Sequence, residues 1–380
     1  MSDSGADGRD ELFGLGRRKV LIGLGVALAL TLGATAVIGQ VASYHRLLDA
    51  IRHASKAWLP LTLAGEAIAY LGYLLAYRSV AAADGGPRLR TRDAAQVIAL
   101  GLGAYVVGSD AGGLTVDYWA MRQAGSPTHE AFRRMLALNT LQAFGLVTFA
   151  AVSGAAVLAL GTSGTALVMA IAWLVVVPAA IAASALVSSD RLAPRLEDAP
   201  ESKERPHGLP VRPWLGWLRT KLRKLFADVV GGLVFVRHVI AHPLRYLGGV
   251  TGFPLFWLGD FFILWTALVA YGVHLNPARL VLAEATAWVL TFLPLPGGGA
   301  GVAEAGMTYS LHAVGVPLPH ALSAALTYRA VNFWLPLVPA LLLVPRARRL
   351  QDSLHETHRT EEDSDAAIHP GETEDTESAA

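Results

Sequence analysis

The sequence predicts an all-α fold, a polytopic membrane helix bundle of about six full spans plus two re-entrant hairpins. Of 380 residues, 53% are hydrophobic and only 16% are charged, whereas soluble domains carry about 25% charged residues. Apolar segments of spanning length recur along the chain, and clusters of Arg and Lys separate them. The composition therefore indicates a protein whose main solvent is the bilayer.

Six apolar segments have the length of full spans, because about 20 apolar residues cross the hydrocarbon core. They cover residues 20–40, 58–77, 138–160, 166–188, 247–272 and 322–344. No small-residue cleavage site follows the first segment, so we expect a retained span rather than a signal peptide. The sequence GTSGT at 161–165 is typical of a short turn between two antiparallel spans.

Two further apolar segments are interrupted by residues that disfavour helix. Residues 94–116 contain five glycines and Asp110, and residues 278–315 contain LPLPGGGAGVAEAG at 293–306. Irregular backbone at membrane depth is tolerated only inside the protein or beside a water-filled cavity. We therefore expect both segments to turn back within the membrane, giving eight membrane segments in all.

The basic residues predict the topology, because loops rich in Lys and Arg stay in the cytoplasm. Residues 17–19 place the N-terminus there, and residues 346–349 place the end of the last span there. All basic loops fall on one side if 94–116 enters from the cytoplasm and 278–315 enters from the outer face. Both termini are accordingly predicted to be cytoplasmic.

The chain divides into two membrane halves joined by a basic connector. The connector contains Trp and Leu at helical spacing between Arg and Lys residues, which is typical of an amphipathic helix at the membrane interface. The C-terminal residues are acidic and poor in hydrophobic residues, which predicts disorder. The predicted regions are a cytoplasmic tail at 1–19, a first half at 20–189, a linker and interfacial helix at 190–245, a second half at 246–346, and an acidic tail at 347–380.

Several functional classes are excluded or disfavoured by the sequence. The absence of Cys excludes disulfides, thiolate metal sites and thiol nucleophiles. No P-loop is present, and HETH at 355–358 lacks the spacing of the HExxH zinc motif. GTSG at 161–164 matches a string found in intramembrane serine proteases, but it falls in a turn without a partner His. We expect no catalytic residues, no cofactor, no metal and no nucleic-acid partner.

Ionisable residues inside apolar segments mark the candidate site, because they are costly in lipid and usually face a bundle interior or cavity. Glu304 lies in the first turn of a helix expected to start near Ala300, where it either caps the turn or meets a cationic headgroup or a proton. Arg329 lies inside the last span, and Asn332 follows it by about one turn. Its guanidinium either pairs with a carboxylate, Glu304 or Glu284, or binds a lipid phosphate bidentately.

The two interrupted segments share a short pattern. Gly112-Gly113-Leu114-Thr115-Val116-Asp117 and Gly299-Ala300-Gly301-Val302-Ala303-Glu304 both contain small residues, then an aliphatic residue, then an acid. Hairpins that enter from opposite faces would make this an inverted repeat with a site between the halves. The remaining candidate site residues are therefore Gly297, Gly298, Gly301, Gly112, Gly113, Asp117 and Asp110. We interpret Asp260 and Glu66 as structural partners instead.

Residues 293–335 resemble the C-terminal signature of a bacterial membrane family, the lysylphosphatidylglycerol synthase transmembrane-region or flippase-like family. The residues that carry the resemblance are Pro294, Pro296, Gly297, Gly298, Gly301, Val302, Glu304, Gly315, Arg329 and Trp334. In the best-known type of member of that family, this region is fused to a cytosolic domain that attaches lysine to phosphatidylglycerol, and the membrane region is held to flip the product. No such domain follows residue 346 here, so we expect no aminoacyl transfer.

The resemblance implies a lipid translocase that binds a phospholipid or polyprenyl-phosphate headgroup in a midplane cavity. Arg329 would then engage phosphate, and Glu304 would engage a cation or a proton. The alternative is a non-transporting membrane subunit that scaffolds a separately encoded lipid- or glycan-modifying enzyme. The lipid, the energy source, the direction of transport and self-association into a homo-oligomer are left open by the sequence.

Overall fold

The computed structural model describes residues 17–42, 44–108, 110–187, 246–290, 299–343, 346–347 and 349–356. Every regular element among them is helical, which confirms the predicted all-α class. The helices are α1 (Arg17–Ala42), α2 (Tyr44–Arg52), α3 (Leu59–Ala81), α4 (Thr91–Gly108), α5 (Asp110–Gln123), α6 (Thr128–Ala159), α7 (Thr165–Val187), α8 (Leu247–Ala270), α9 (Pro277–Val289), α10 (Val302–Ala313), α11 (Leu318–Arg329) and α12 (Leu335–Leu343).

The six predicted spans coincide with long helical stretches. Within the described residues, five stretches have the length and apolar composition that crossing a membrane requires. They are Leu21–Val41, Lys56–Ala81, Thr128–Ala159, Leu247–Ala270 and Leu318–Leu343. The sixth predicted span is α7, which carries no charged residue along its length. The chain is thus a multi-pass membrane protein.

Helix α6 begins ten residues before the predicted start of its span at 138. Its first turns are polar and are stabilised by an ion pair one turn apart, in which Arg134 Nη1 lies 2.7 Å from Glu130 Oε2. Hydropathy detects only the apolar part of such a helix, and this is why the prediction missed the first turns. The last span likewise begins earlier than predicted, at Leu318.

The first interrupted segment is a helical hairpin formed by α4 and α5, whose arms extend beyond the predicted 94–116. α5 folds back on α4, and Gly112 faces the Ala104 carbonyl so closely that any Cβ there would collide with it. Glycine at this position is therefore required by the close approach of the two arms. The face of the membrane from which the hairpin enters stays a prediction.

The second interrupted segment is a hairpin formed by α9 and α10, in which Gly306 packs against Leu290. The connection contains Pro294, Pro296, Gly297 and Gly298, all of which lie outside the described residues. Gly301 is the N-cap of α10 with φ +82°, and a Cβ on it would lie 2.7 Å from the Leu30 carbonyl oxygen. The start of α10 thus lies close against α1, and Gly301 has a backbone conformation that favours glycine.

Helices α3 and α8 join the two halves through pairs of glycines. A Cβ on Gly65 would lie 3.0 Å from the Gly259 carbonyl oxygen, and a Cβ on Gly252 would lie 2.6 Å from the Gly72 carbonyl oxygen. Small residues allow this backbone contact, which is a common means of helix association in membranes. Glu66 follows Gly65 and Asp260 follows Gly259, so this contact also brings the two acidic residues near each other.

The last span contains a π-helical turn, Ala330–Trp334, between α11 and α12. The Leu335 N–H bonds to the Ala330 carbonyl five residues back, the pattern that defines a π turn. Pro336 and Pro339 follow it, and neither has an N–H to continue a regular helical ladder. The turn therefore lies where the regular hydrogen-bond pattern is already interrupted.

The C-terminal tail becomes helical where the sequence analysis predicted disorder from 347 onwards. Residues 349–356 are helical, and Leu350 and Leu354 are buried in a core that includes residues of α3, α4 and α5. Ser353 Oγ also donates to Asp93 Oδ2 at 3.1 Å. The prediction of disorder was wrong for this short segment because it relied on the acidic composition and overlooked the two leucines four residues apart. Residues 357–380, together with 1–16 and 188–245, lie outside the described residues, so the predictions for them stay predictions.

Candidate functional site

A cavity of about 890 Å³ lies between the two halves of the bundle. Both hairpins line it: Gly113 and Asp117 from α5, and Ala303 and Met307 from α10. The other polar or aromatic lining residues are Glu66, Tyr70, Tyr73, Tyr105, Asn139, Gln142, Phe256, Trp288, Tyr328, Arg329, Asn332 and Phe333. The cavity is the place where side chains from all these helices meet.

Arg329 lies on the wall of this cavity and is 7% exposed. Its Nε donates to Glu304 Oε1 at 3.3 Å, and its guanidinium carbon lies 4.1 Å from the centre of the Phe333 ring. Its Nη2 is buried and has no hydrogen-bond partner within the described part of the chain. The ion pair and the cation–π contact orient the guanidinium and leave one strong donor unused.

Glu304 is completely buried and connects three helices. Its Oε1 accepts from Thr31 Oγ1 at 2.9 Å as well as from Arg329, and its Oε2 accepts from the Gly301 N–H at 2.5 Å. The last bond belongs to a capping arrangement at the start of α10. Glu304 is not among the residues that line the cavity, so the geometry supports the capping and ion-pairing role of the two that the sequence left open.

Asp260 on α8 is completely buried beneath the cavity wall. Its Oδ2 accepts from the Tyr328 hydroxyl at 2.9 Å, and its Oδ1 accepts from Asn332 Nδ2 at 2.6 Å. Both donors also line the cavity. Asp260 thus has the hydrogen bonds expected of a structural partner, and one of them already engages Asn332.

A family model for the lysylphosphatidylglycerol synthase TM region matches residues 20–340, which include both halves and both hairpins. The chain belongs to this family. The resemblance noted in the sequence is therefore confirmed, and it extends well beyond the signature at 293–335. No curated protein matches the chain.

In this member of the lysylphosphatidylglycerol synthase TM region family, the cavity brings together only part of the predicted site. Arg329, Asn332, Gly113 and Asp117 line it. Gly112, Glu284 and Glu304 lie in the surrounding helices, and Gly301 is the N-cap of α10; none of the four is on the cavity wall. Gly297 and Gly298 lie outside the described residues, and Asp110 begins α5 without its side chain being described.

Two kinds of cavity residue were missed by sequence reasoning. Glu66, which the sequence analysis treated as structural, lines the cavity, and its Oε2 has no hydrogen-bond partner among the described residues. Asn139 and Gln142 line it from α6, and they are three residues apart in an otherwise apolar stretch. That spacing places two polar side chains on one face of a helix, a signal that could have found them.

A second, almost wholly apolar groove of about 690 Å³ lies between α1 and the second hairpin. Its lining includes Leu30, Gly33, Val302, Ala305 and Tyr309. Helix α10 separates this groove from the cavity, because Ala303 and Met307 face the cavity and Val302 and Tyr309 face the groove. No cluster of three or more His, Asp or Glu within the described residues is arranged to hold a metal ion.

Proposed function

We propose that this protein is a lipid translocase that binds the headgroup of a phospholipid or a polyprenyl phosphate in the cavity between the hairpins. The observation that carries the proposal is the unpaired Nη2 of Arg329 at the cavity wall. A buried donor without a partner costs about 1–3 kcal/mol. A phosphate oxygen would remove that cost and form a charge-assisted hydrogen bond.

The orientation of Arg329 suits phosphate better than it suits a purely structural role. Glu304 engages only Nε, and Phe333 covers one face of the guanidinium. A guanidinium used only for structure would be expected to have its remaining buried donors bonded as well, since buried polar groups in proteins almost always are. The free donor therefore supports a ligand with acceptor oxygens.

The size and charge of the cavity support a lipid headgroup. Its volume of about 890 Å³ falls within the range of about 300–1,000 Å³ typical of small-molecule sites. Glu66 and Asp117 line the same cavity as Arg329. A headgroup that carries an amine as well as a phosphate would find carboxyl oxygens to accept from the amine and a cation for the phosphate, while its acyl chains stay in the lipid phase.

The membrane and the orientation belong to the same proposal. We infer a bacterial cytoplasmic membrane with both termini in the cytoplasm, because residues 17–19 and 346–349 are rich in Arg and Lys and adjoin the first and last spans. A headgroup would then enter the cavity from one leaflet and leave toward the other along the two hairpins.

The proposal is tested by reconstituting the purified protein in liposomes that contain a trace of phosphatidylglycerol labelled on its acyl chain. A membrane-impermeant reductant bleaches only the outer-leaflet label, so transfer between leaflets appears as continued loss of fluorescence. We expect transfer by the wild type, loss of transfer in Arg329→Ala, and normal transfer in Arg133→Ala, which changes an exposed arginine on α6.

The outcomes separate the two functional hypotheses. Transfer by folded Arg329→Ala at the wild-type rate would overturn the role of Arg329. A folded wild type that transfers neither labelled phosphatidylglycerol nor a labelled polyprenyl phosphate would favour the scaffolding subunit, which should instead co-purify with a lipid- or glycan-modifying enzyme. Competition by unlabelled polyprenyl phosphate distinguishes the two classes of lipid.

A further inference from the structure

Glu284 on α9 is a buried acid that the proposed function does not use. It is completely buried, and neither of its carboxyl oxygens has a hydrogen-bond donor among the described residues. It lies beside Asp260 and Tyr328, within hydrogen-bonding reach of the Asp260 carboxylate. Two carboxylates in contact both accept and neither donates, so the pair is incomplete as it stands.

The charges around the pair do not compensate an ionised Glu284. The cation nearest the pair is Arg329, which already pairs with Glu304. Asp260 receives its two hydrogen bonds from Tyr328 and Asn332. An isolated ionised carboxylate in the protein interior costs far more than a hydrogen bond returns, so it takes up a proton instead.

The helices packed against α9 supply no second cation. On α9 itself, Arg279 points away to Thr162 in the turn before α7, where Nη2 lies 3.5 Å from Oγ1. Helix α7 contains no ionisable residue, and those of α6 are confined to its first two turns at 129–134. The titratable groups that interact with Asp260 or Glu284 are therefore Tyr328 and Arg329 from α11 and Glu66 from α3, while Glu304 of α10 pairs with Arg329.

The groups around the pair suit a proton better than a metal ion. No cluster of three His, Asp or Glu within the described residues is arranged for a metal. The groups that contact Asp260 are a phenol O–H and an amide N–H, which are donors and already point at the carboxylate. A proton on Glu284 makes its hydroxyl a donor to Asp260, whose oxygens each have a lone pair left to accept it.

We propose that Asp260 and Glu284 form a proton-binding carboxyl pair, and that the proton on Glu284 accompanies a phosphate-bearing headgroup bound at Arg329. The first part rests on the geometry of the pair alone, and the second part rests on the proposed function. Removing one negative charge beside Arg329 strengthens its attraction for phosphate. By linkage, phosphate in the cavity then favours the protonated pair to the same degree.

The hydrogen bonds of Asp260 connect the pair to the cavity. Tyr328 and Asn332 donate to Asp260 and also line the cavity beside Arg329. Loss of the proton places two like charges behind these donors and draws them toward the carboxylates. The headgroup site and the proton site therefore share the same turn of the last span.

The proton is tested directly by infrared spectroscopy of the full chain in lipid nanodiscs. A protonated carboxylic acid has a C=O stretch that is separate from amide and carboxylate bands and shifts in D₂O. We expect this band in the wild type at neutral pH, its loss in Glu284→Gln, and its retention in the control Asp49→Asn, which changes an exposed carboxylate on α2. Absence of the band in the folded wild type would overturn the proposal.

Asp260→Asn is the second variant, in case Glu284→Gln does not fold. It removes the negative charge but keeps the shape and an amide oxygen, a weaker acceptor, so the Glu284 band should remain and shift in frequency. An unchanged band would show that the two groups are not paired. A change in the band on adding Na⁺ to the wild type, absent in Glu284→Gln, would assign the site to a cation and also overturn the proposal.

The coupling is tested by measuring lipid transfer as a function of pH. We expect wild-type transfer to fall as pH rises, because the pair loses its proton, whereas Glu284→Gln, which is permanently neutral, should transfer without this dependence. Identical pH profiles for the two proteins would overturn the coupling. A wild type that shows the infrared band but transfers no lipid would retain the proton pair and refute the translocase.

Discussion

The bonds by which Glu304 connects α1, α10 and α11 lead to a quantitative prediction about its substitution. Its carboxylate accepts from Gly301 N–H at 2.5 Å, Thr31 Oγ1 at 2.9 Å and Arg329 Nε at 3.3 Å, and it is completely buried. Glu304→Ala removes all three bonds and leaves the buried guanidinium unpaired, which costs about 3–5 kcal/mol. Thr31→Val removes one bond and keeps the shape, which costs about 1 kcal/mol within a membrane.

Reversible unfolding in mixed micelles of increasing SDS content measures these free energies. The control is Glu130→Ala on α6, which breaks an ion pair of similar type whose acid is 39% exposed, so a loss below about 1 kcal/mol is expected. The reasoning would be refuted if Glu304→Ala destabilised the protein no more than Glu130→Ala does. It would also fail if Thr31→Val had the full effect in the Glu304→Ala background, because the two residues would then not interact.

Three further predictions concern the fold. Gly301→Ala, at φ +82° and against a carbonyl of α1, should lower the unfolding free energy more than Gly299→Ala, at φ +70° with open space around it; the same SDS titration compares them. Gly259→Val should prevent α3 and α8 from packing and lower the yield of monodisperse protein in size-exclusion chromatography. Gly33→Val, which meets no neighbour within 4 Å on α1, should leave that yield unchanged. Leu354→Ala should cost about 2–5 kcal/mol, because this side chain is completely buried; an unchanged thermal midpoint would show that the C-terminal helix does not pack on the bundle.

The spans were predictable because spanning length and apolar composition are local properties of the sequence. The glycines and prolines at 293–306 and the glycines at 94–116 likewise located both hairpins. The sequence failed where packing overrides composition: Leu350 and Leu354 dock an otherwise acidic segment, and an ion pair starts α6 before its apolar part.

The candidate site was predictable only in part. Arg329 was identifiable as a costly charge inside an apolar span, but its two proposed roles turned out not to exclude each other. Nε pairs with Glu304 while Nη2 stays free. The approach of Glu66 to Asp260 could not be predicted, because a helix that is apolar all round gives no sign of which face meets a neighbour. The contact of Gly65 with Gly259 determines which face of α3 meets α8.

The π turn at Ala330–Trp334 also determines which side chains of the last span face Asp260. One surplus residue is accommodated there, so deletion of Ala330 should restore a regular helix and leave the residues after the turn facing as they do now. Phe333, instead of Asn332, would then lie four positions after Tyr328 and face Asp260. Pro336 and Pro339 would keep their place on the cavity wall that they now line. In this family member, the length of one span, and not only the identity of its side chains, sets which groups face Asp260 and the cavity.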